Sequence, residues 1–199
     1  MFSYLCPTKY CAMAEKPATI KQTKILVNLS SDKLDLALSA LIMLETDGRL
    51  AIIPQLFEIY KKQKNTEVKK KILEFVSNIQ KQEAAAEIIR LIEKELNPSF
   101  RQEFLTIIWN SKLDFSAHLA DIVSIAIHGD FIQALDCLTI IENMSGPFEE
   151  HQLLESQLYL KDYLDNRNNE ETEKNQFISE IAFYIKEQNE GVDADLLFE

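Results

Sequence analysis

The segment 115–130, FSAHLADIVSIAIHGD, carries the side chains best suited to catalysis or metal binding in this sequence. The candidate groups are those of His118, Asp121, His128 and Asp130. Imidazole combined with carboxylate is a donor set of many zinc and iron sites. On a helix, however, Asp121 and His128 point in nearly the same direction, whereas His118 points elsewhere. The apolar residues between them define the inward face, so we expect a solvated polar face here and predict neither a metal nor a cofactor.

Other signatures of chemistry are missing from the sequence. It contains no glycine-rich phosphate loop and no Gly-x-Ser-x-Gly elbow. Cys6, Cys11 and Cys137 are odd in number and scattered, which fits neither a disulfide framework nor a paired zinc motif. The net charge of −11 argues against general nucleic-acid binding, which relies on Lys and Arg to neutralise phosphates. We therefore predict that the chain is not an enzyme.

The composition indicates an all-α protein. Leu, Ile, Glu, Lys, Ala and Gln dominate, and these residues mostly favour helix. No apolar run reaches the ~18 residues that span a membrane, and the first residues lack the pattern of a secretory signal. This predicts a cytoplasmic protein that binds no membrane. Met1 and Met13 are both possible starts, and the sequence leaves that choice open.

An internal repeat of 32–33 residues organises the middle of the chain. The pentapeptide FLTII at 104–108 returns as CLTII at 137–141. The same register aligns Leu41, Leu73, Leu105 and Leu138. Two matching openings begin with Asn65 and Asn97, and asparagine caps a helix because its side chain accepts a hydrogen bond from a free backbone N–H. An amphipathic helix pair cannot cover its own apolar face, so successive pairs are expected to stack.

Apolar periodicity predicts ten helices. They are expected at 19–29, 32–46, 50–64, 66–79, 83–96, 99–110, 115–128, 131–143, 151–164 and 173–188. The first eight form four pairs, and the last two form a C-terminal capping pair, because longer polar links break the period there. The predicted organisation is an N-terminal extension at 1–18, disordered in part, one repeat domain at 19–188 and an acidic tail at 189–199. The predicted fold class is an α-solenoid, an α–α superhelix of stacked helix pairs.

The opening Asn97-Pro98-Ser99-Phe100-Arg101 resembles the repeat start of the HEAT family, which often reads Asp-Pro-x-x-Val-Arg. Together with the period, this resemblance covers about residues 19–143. It implies a scaffold that binds another protein along the inner surface of its stacked helices. Armadillo-like and other helical-hairpin repeats stay open. Because the family also contains enzymes, the alternative function is a HEAT-like enzyme or accessory domain acting on nucleic acid or a protein substrate.

The first candidate binding surface surrounds Trp109. Its register position is polar in the other repeats, which carry Glu45, Ser77 and Glu142. Trp109 either packs against a loop or neighbouring helix, or serves as an exposed aromatic anchor of the kind common at interfaces. The predicted partner-binding strip comprises Lys70, Leu73, Ser77, Gln102, Leu105, Thr106 and Trp109. Self-association through the same inner surface is a further option.

The second candidate surface is a lysine cluster where one repeat joins the next. It comprises Lys61, Lys62, Lys64, Lys69, Lys70 and Lys71. The simpler interpretation is a solvated helix end, where cations favour the C-terminal dipole. The alternative is a patch for an anion or an acidic partner, including the chain's own tail at 193–199. That tail carries three apolar residues among carboxylates and is otherwise expected to fray.

Overall fold

The computed structural model describes residues 20–31, 33–47, 50–166 and 173–188 of the chain. The predictions for the N-terminal extension, for the choice between Met1 and Met13 and for the acidic tail lie outside these residues. Within the described ranges all regular structure is helical, which confirms the all-α prediction. None of the helices in these ranges is both long and apolar enough to cross a membrane.

Ten α-helices follow one another along the described chain. They are α1 (Ile20–Leu29), α2 (Leu34–Asp47), α3 (Ile53–Lys62), α4 (Thr66–Ser77), α5 (Ala84–Lys94), α6 (Pro98–Asn110), α7 (Leu119–His128), α8 (Phe131–Glu142), α9 (Glu150–Asn166) and α10 (Glu173–Gln188). Each corresponds to one predicted stretch. Two short 3-10 turns, Leu50–Ile52 and Ser116–His118, occupy the predicted starts of α3 and α7. The α-helical geometry of these two helices therefore begins later than the periodicity predicted.

Both predicted asparagine caps are formed. Asn65 Oδ1 accepts hydrogen bonds of 3.0 and 3.3 Å from the backbone N–H groups of the second and third residues of α4. Asn97 Oδ1 accepts bonds of 3.0 and 3.4 Å from the same two positions of α6. Pro98 stands first in α6, where its missing N–H costs nothing. The two openings are therefore built alike, as their matching sequences predict.

The helices contact one another in two series. In the even-numbered series α2 packs on α4, α4 on α6, α6 on α8 and α8 on α10. In the odd-numbered series α3 packs on α5, α5 on α7 and α7 on α9. Consecutive helices also contact each other in the pairs α1–α2, α3–α4, α5–α6, α7–α8 and α9–α10. Most of the packing of each helix therefore comes from its own pair and from the neighbouring pairs.

One continuous core cluster runs from α1 to α10. The four leucines of the repeat register lie on consecutive members of the even series. Leu41, Leu105 and Leu138 are buried, and Leu73 is half-buried against the same core. Cys137 on α8 is a free thiol that is fully buried there, and burial raises its pKa.

Buried glutamines at one end of the helix pairs join residues about one repeat apart. Gln63 Nε2 donates hydrogen bonds to the carbonyls of Leu29 (3.3 Å) and Ser31 (3.2 Å). Gln133 Nε2 donates to the carbonyl of Pro98 (3.0 Å). A buried amide that lacks a hydrogen bond costs free energy, so most buried amides are hydrogen-bonded. These bonds therefore align the α3–α4 connection with the α1–α2 connection, and the first turn of α8 with that of α6.

Two further glutamines act in the same way elsewhere on the molecule. The Asp114 N–H donates to Gln82 Oε1 (3.0 Å), while Gln82 Nε2 donates to the Asp114 carbonyl. At the start of α7, the Ala120 N–H donates to Gln152 Oε1 (3.0 Å) on α9. Both links span 32 residues of sequence. These glutamine hydrogen bonds therefore follow the same period as the apolar register.

Candidate binding surface

Lys69 lies at the seam between α4 and α6 among aromatic and acidic groups. Its Nζ is 4.6 Å from the ring centroid of Tyr60 and 5.1 Å from that of Phe100. Glu103 Oε2 lies 3.9 Å from Lys69 Nζ and accepts a 2.8 Å hydrogen bond from the Tyr60 hydroxyl. Burial, reinforced by this bond to a carboxylate, raises the pKa of Tyr60. The Tyr60 phenol therefore stays a neutral hydrogen-bond donor. The Lys69 ammonium contacts aromatic and acidic side chains of the same protein.

Lys61 is also engaged within the protein. Its Nζ lies 2.5 Å from Glu58 Oε1 and 3.1 Å from Glu95 Oε2. The hydrogen bond to Glu58, which outweighs partial burial, raises the pKa of the Lys61 ammonium. Because Glu95 lies in the connection to the next repeat, this lysine bridges two repeats.

The other four lysines of the cluster are more exposed. Lys71 Nζ lies 2.7 Å from Glu74 Oε2, and Lys70 Nζ lies 4.0 Å from Glu74 Oε1. Lys62 and Lys64 are exposed and make no ion pair with another described residue. Four of the six lysines thus lie beside glutamates of the same chain. This mosaic of both signs favours the simpler interpretation of a solvated helix end.

The structure places the seven residues of the predicted strip at different depths. Leu105 and Ser77 are buried, so neither is available to a partner, and the prediction is corrected for these two. Both lie on helix flanks that are covered because α4, α6 and α8 pack side by side. The remaining five are half-buried or exposed: Lys70, Leu73, Gln102, Thr106 and Trp109.

Trp109 keeps a large accessible surface near the end of α6. It is 47 % exposed, so roughly half of it is free to contact a partner. Two turns earlier on α6, Gln102 Nε2 donates a hydrogen bond to Asp136 Oδ2 on α8. Burial raises the pKa of Asp136, against the opposing effect of this bond. Gln102 Oε1 is buried and has no hydrogen-bond partner among the described residues.

An exposed apolar surface at the start of α8 was missed by the sequence analysis. Phe131, Ile132 and Leu135 are all exposed there, and Ile132 is exposed by 53 %. The Phe131 ring packs on that of Phe177 of α10, with centroids 5.2 Å apart. We call these four residues the α8 apolar patch. The comparison of repeats that singled out Trp109 would have found the patch, because the matching residues of α6 are Pro98, Ser99 and Gln102.

The four polar side chains of segment 115–130 are not brought together. His118 Nδ1 lies 3.0 Å from Asp121 Oδ2. His128 Nδ1 instead lies 2.8 Å from a backbone carbonyl oxygen of its own helix. Asp130 caps α8 by accepting a 2.9 Å bond from the N–H of the third helical residue. Among the described residues, no group of three or more His, Cys, Asp and Glu side chains is arranged to hold a metal ion.

Comparisons of the chain with models of known protein families, with curated proteins and with solved structures found no match. Any function proposed for the surface therefore rests on the chain's own residues and contacts. The most informative of these are the order of helix packing, the hydrogen bonds between repeats and the exposed apolar side chains.

Proposed function

We propose that this protein is a non-enzymatic helical-repeat scaffold that binds another protein along the face of its even-numbered helices. Trp109 on α6 and the α8 apolar patch lie on consecutive members of this series. Binding of this kind requires no catalytic group, only accessible apolar anchors held on a rigid support. The helix packing supplies that support.

For the fold, we propose a HEAT-like or armadillo-like α-solenoid with α9 and α10 as the capping pair. Three observations support this architecture. The helices contact one another in two parallel series, the two asparagine caps recur with the same geometry, and glutamine bonds join residues 32–35 positions apart. In a solenoid each repeat contacts only its neighbours. Helix contacts confined to the same and the neighbouring pairs therefore favour this architecture.

The exposure of Trp109 is the single observation that carries the binding proposal. The matching residues are Ser77 on α4 and Glu142 on α8, so the fold does not require an aromatic side chain at this position. Tryptophan is enriched among the residues that dominate binding energy at interfaces. Covering on the order of 100 Å² of its surface would stabilise a complex by about 2–3 kcal/mol.

Affinity capture from the native host with three forms of the full chain tests the proposal. The forms are the wild type, Trp109→Ala and the control Leu96→Ala, which removes an exposed apolar residue from the α5–α6 connection. We expect at least one protein to be captured by the wild type and the control but lost with Trp109→Ala. With that protein purified, the dissociation constant should rise at least tenfold for Trp109→Ala and less than twofold for Leu96→Ala. Equal losses in the two variants, or no Trp109-dependent partner, would reject the proposal.

A further inference from the structure

We infer that the partner presents a basic amphipathic helix, which docks its apolar side on the α8 apolar patch. This inference rests on the proposed scaffold function and adds the chemistry of the partner. It follows from the shape of the patch, from its absence on α4 and α6 and from the charges around it.

The patch is a short strip on one side of α8. Ile132 and Leu135 are three positions apart and Phe131 and Leu135 four, so the three side chains lie next to one another on the helix surface. Phe177 extends the strip onto α10, because its ring packs on Phe131. An apolar strip across two neighbouring helices can receive the apolar face of a third helix.

The fold does not need apolar residues at these positions. The corresponding residues are Thr66, Glu67 and Lys70 on α4, and Pro98, Ser99 and Gln102 on α6, whereas α2 carries Leu34, Asp35 and Leu38. The α4 and α6 helices pack in the same series, and apart from Pro98 their side chains at these positions are polar. Clustered apolar side chains that the fold leaves exposed commonly mark an interaction site. We therefore assign the patch to intermolecular contact.

Acidic residues surround the patch. On α8, Asp136 and Glu142 are its charged members, and residues 131–142 include no Lys or Arg. On α10, Glu173 lies four residues before Phe177 and Glu180 three residues after it, so both share its side of the helix. The carboxylates of Glu142, Glu173 and Glu180 belong to exposed residues. A partner with Lys or Arg beside its apolar residues would complement this rim.

Two cations near the start of α8, Lys174 and Arg101, are already engaged by groups of the protein. Lys174 Nζ donates hydrogen bonds of 2.8 and 2.7 Å to the carbonyls of Ile127 and Gly129, at the C-terminal end of α7. Arg101 Nε donates a 2.9 Å bond to the carbonyl of Glu95, just after α5, and its guanidinium also donates a 3.5 Å bond to Gln133 Oε1 on α8. Both cations therefore compensate carbonyl groups at helix ends, where positive charge is favourable. The acidic rim of the patch remains open to positive charge from a partner.

The same charges argue against two other occupants. A second copy of the chain carries a net charge of −11 and would bring like charge to the rim. An anionic membrane surface would be repelled in the same way. A basic amphipathic helix meets both the apolar strip and its rim.

A synthetic peptide tests the inference with the full chain. The probe is a dye-labelled 18-residue peptide of Leu and Lys with all Leu on one helical face, followed by fluorescence anisotropy at about 0.15 M salt. The patch variant is Ile132→Ser with Leu135→Gln, which installs the α6 residues of the same register. The matched control is Leu154→Ser with Leu158→Gln, the same changes at two exposed leucines of α9. Circular dichroism and thermal unfolding verify that both variants are folded.

We expect the wild type and the control to bind the peptide alike, and the patch variant to bind at least tenfold more weakly. A scrambled peptide of equal composition should bind all three forms with the same low affinity. Equal affinity of the wild type and the patch variant, or equal losses in both variants, would overturn the inference. If the patch variant does not fold, hydrogen exchange of the wild type is measured with each peptide. The amphipathic peptide must protect the amides of α8 and α10, and the scrambled peptide must not.

Three further outcomes test this inference and distinguish it from the scaffold proposal. A wild-type dimer, seen by light scattering and lost in the patch variant, would show that a second copy covers the patch and would overturn the inference. If the peptide does not bind while Trp109-dependent capture of a protein persists, the inferred basic amphipathic helix is wrong and the proposed scaffold function stands. If both fail, both proposals are rejected.

Discussion

The α4–α6 and α8–α10 seams belong to the same series of helices but are built from different side chains. At the first seam, Lys69 lies over the Tyr60 ring and 3.9 Å from Glu103. At the second, Phe131 packs on Phe177, and neighbouring apolar side chains remain exposed. At the first seam, the charged and aromatic groups contact one another within the protein. At the second seam, apolar side chains remain exposed to solvent.

This difference shows which positions of the repeat are constrained. The buried leucines of the common register recur because neighbouring helices require an apolar side chain of similar size there. Outward positions of the seams carry no such requirement, so Lys70 on α4 corresponds to Gln102 on α6 and to Leu135 on α8. Binding properties can therefore differ from one helix to the next without altering the packing.

The largest expected effect contrasts one phenylalanine from each seam. Phe104 is buried and packs on Phe57 and Tyr60 with ring centroids 4.2 and 5.3 Å away. Phe104→Ala should lower the free energy of unfolding by about 3–5 kcal/mol, because it opens a cavity in the core. Phe131→Ala should lower it by about 1 kcal/mol or less, since that side chain is already partly solvated. Urea denaturation measures both, and equal losses would remove the distinction between the seams.

A smaller effect is expected from the hydrogen bonds that align the repeats. Gln133→Ala should lower the free energy of unfolding by about 1–3 kcal/mol, because the Pro98 carbonyl loses its buried donor. Gln176→Ala, at an exposed position of α10, is the control and should change little. A loss below about 0.5 kcal/mol for Gln133→Ala would mean that water replaces the amide.

The two asparagine caps should behave alike, because they begin the two neighbouring helices α4 and α6 with the same geometry. Asn65→Ala and Asn97→Ala should each cost about 1 kcal/mol of unfolding free energy, because each removes the acceptor for two N–H groups. Serine retains a side-chain acceptor, so Asn65→Ser and Asn97→Ser serve as controls with smaller losses. Chemical denaturation of the four variants provides the measurement. A large difference between the two alanine variants would contradict the equivalence of the openings.

The smallest effect separates two lysines of the cluster. Lys69→Met should lower the free energy of unfolding by up to about 1 kcal/mol, because Lys69 loses its aromatic contacts and Glu103 loses a partner. Lys71→Met should have no measurable effect despite the shorter Lys71–Glu74 distance of 2.7 Å, because solvent screens that pair. A stronger effect at Lys71 would show that ion-pair distance, rather than environment, controls this region.

Much of the local structure could be predicted from the sequence. The ten helices and the caps at Asn65 and Asn97 follow from apolar periodicity and from the chemistry of a few neighbouring residues. The burial of Leu105 and Ser77 could not be predicted in this way, because it depends on where neighbouring helices approach each other. The helical period predicts the direction in which a side chain points from its helix. It does not predict which other helix, if any, covers that side chain.

The candidate site divides in the same way. Trp109 could be singled out from the repeat register alone, and the structure shows that it is accessible. The apolar residues of the α8 patch also stand out when α8 is compared with α6, but only the structure showed that they are exposed, since leucine and isoleucine at the start of a helix have the same local pattern whether buried or exposed. The hydrogen bonds of Gln63 and Gln133 also lay beyond prediction, because a polar side chain in the sequence gives no sign of its distant partner.

The sequence by itself determined the all-α class, the succession of ten helices and the 32–33-residue register, because each depends on interactions within a helix or on periodic apolar side chains. Only the tertiary structure decided which side chains of that register are covered. The α4, α6 and α8 helices pack side by side and bury Leu105 and Ser77, while Trp109, Ile132 and Leu135 remain accessible. Burial is a property of the packed assembly, since solvent is excluded only where helices distant in sequence come into contact.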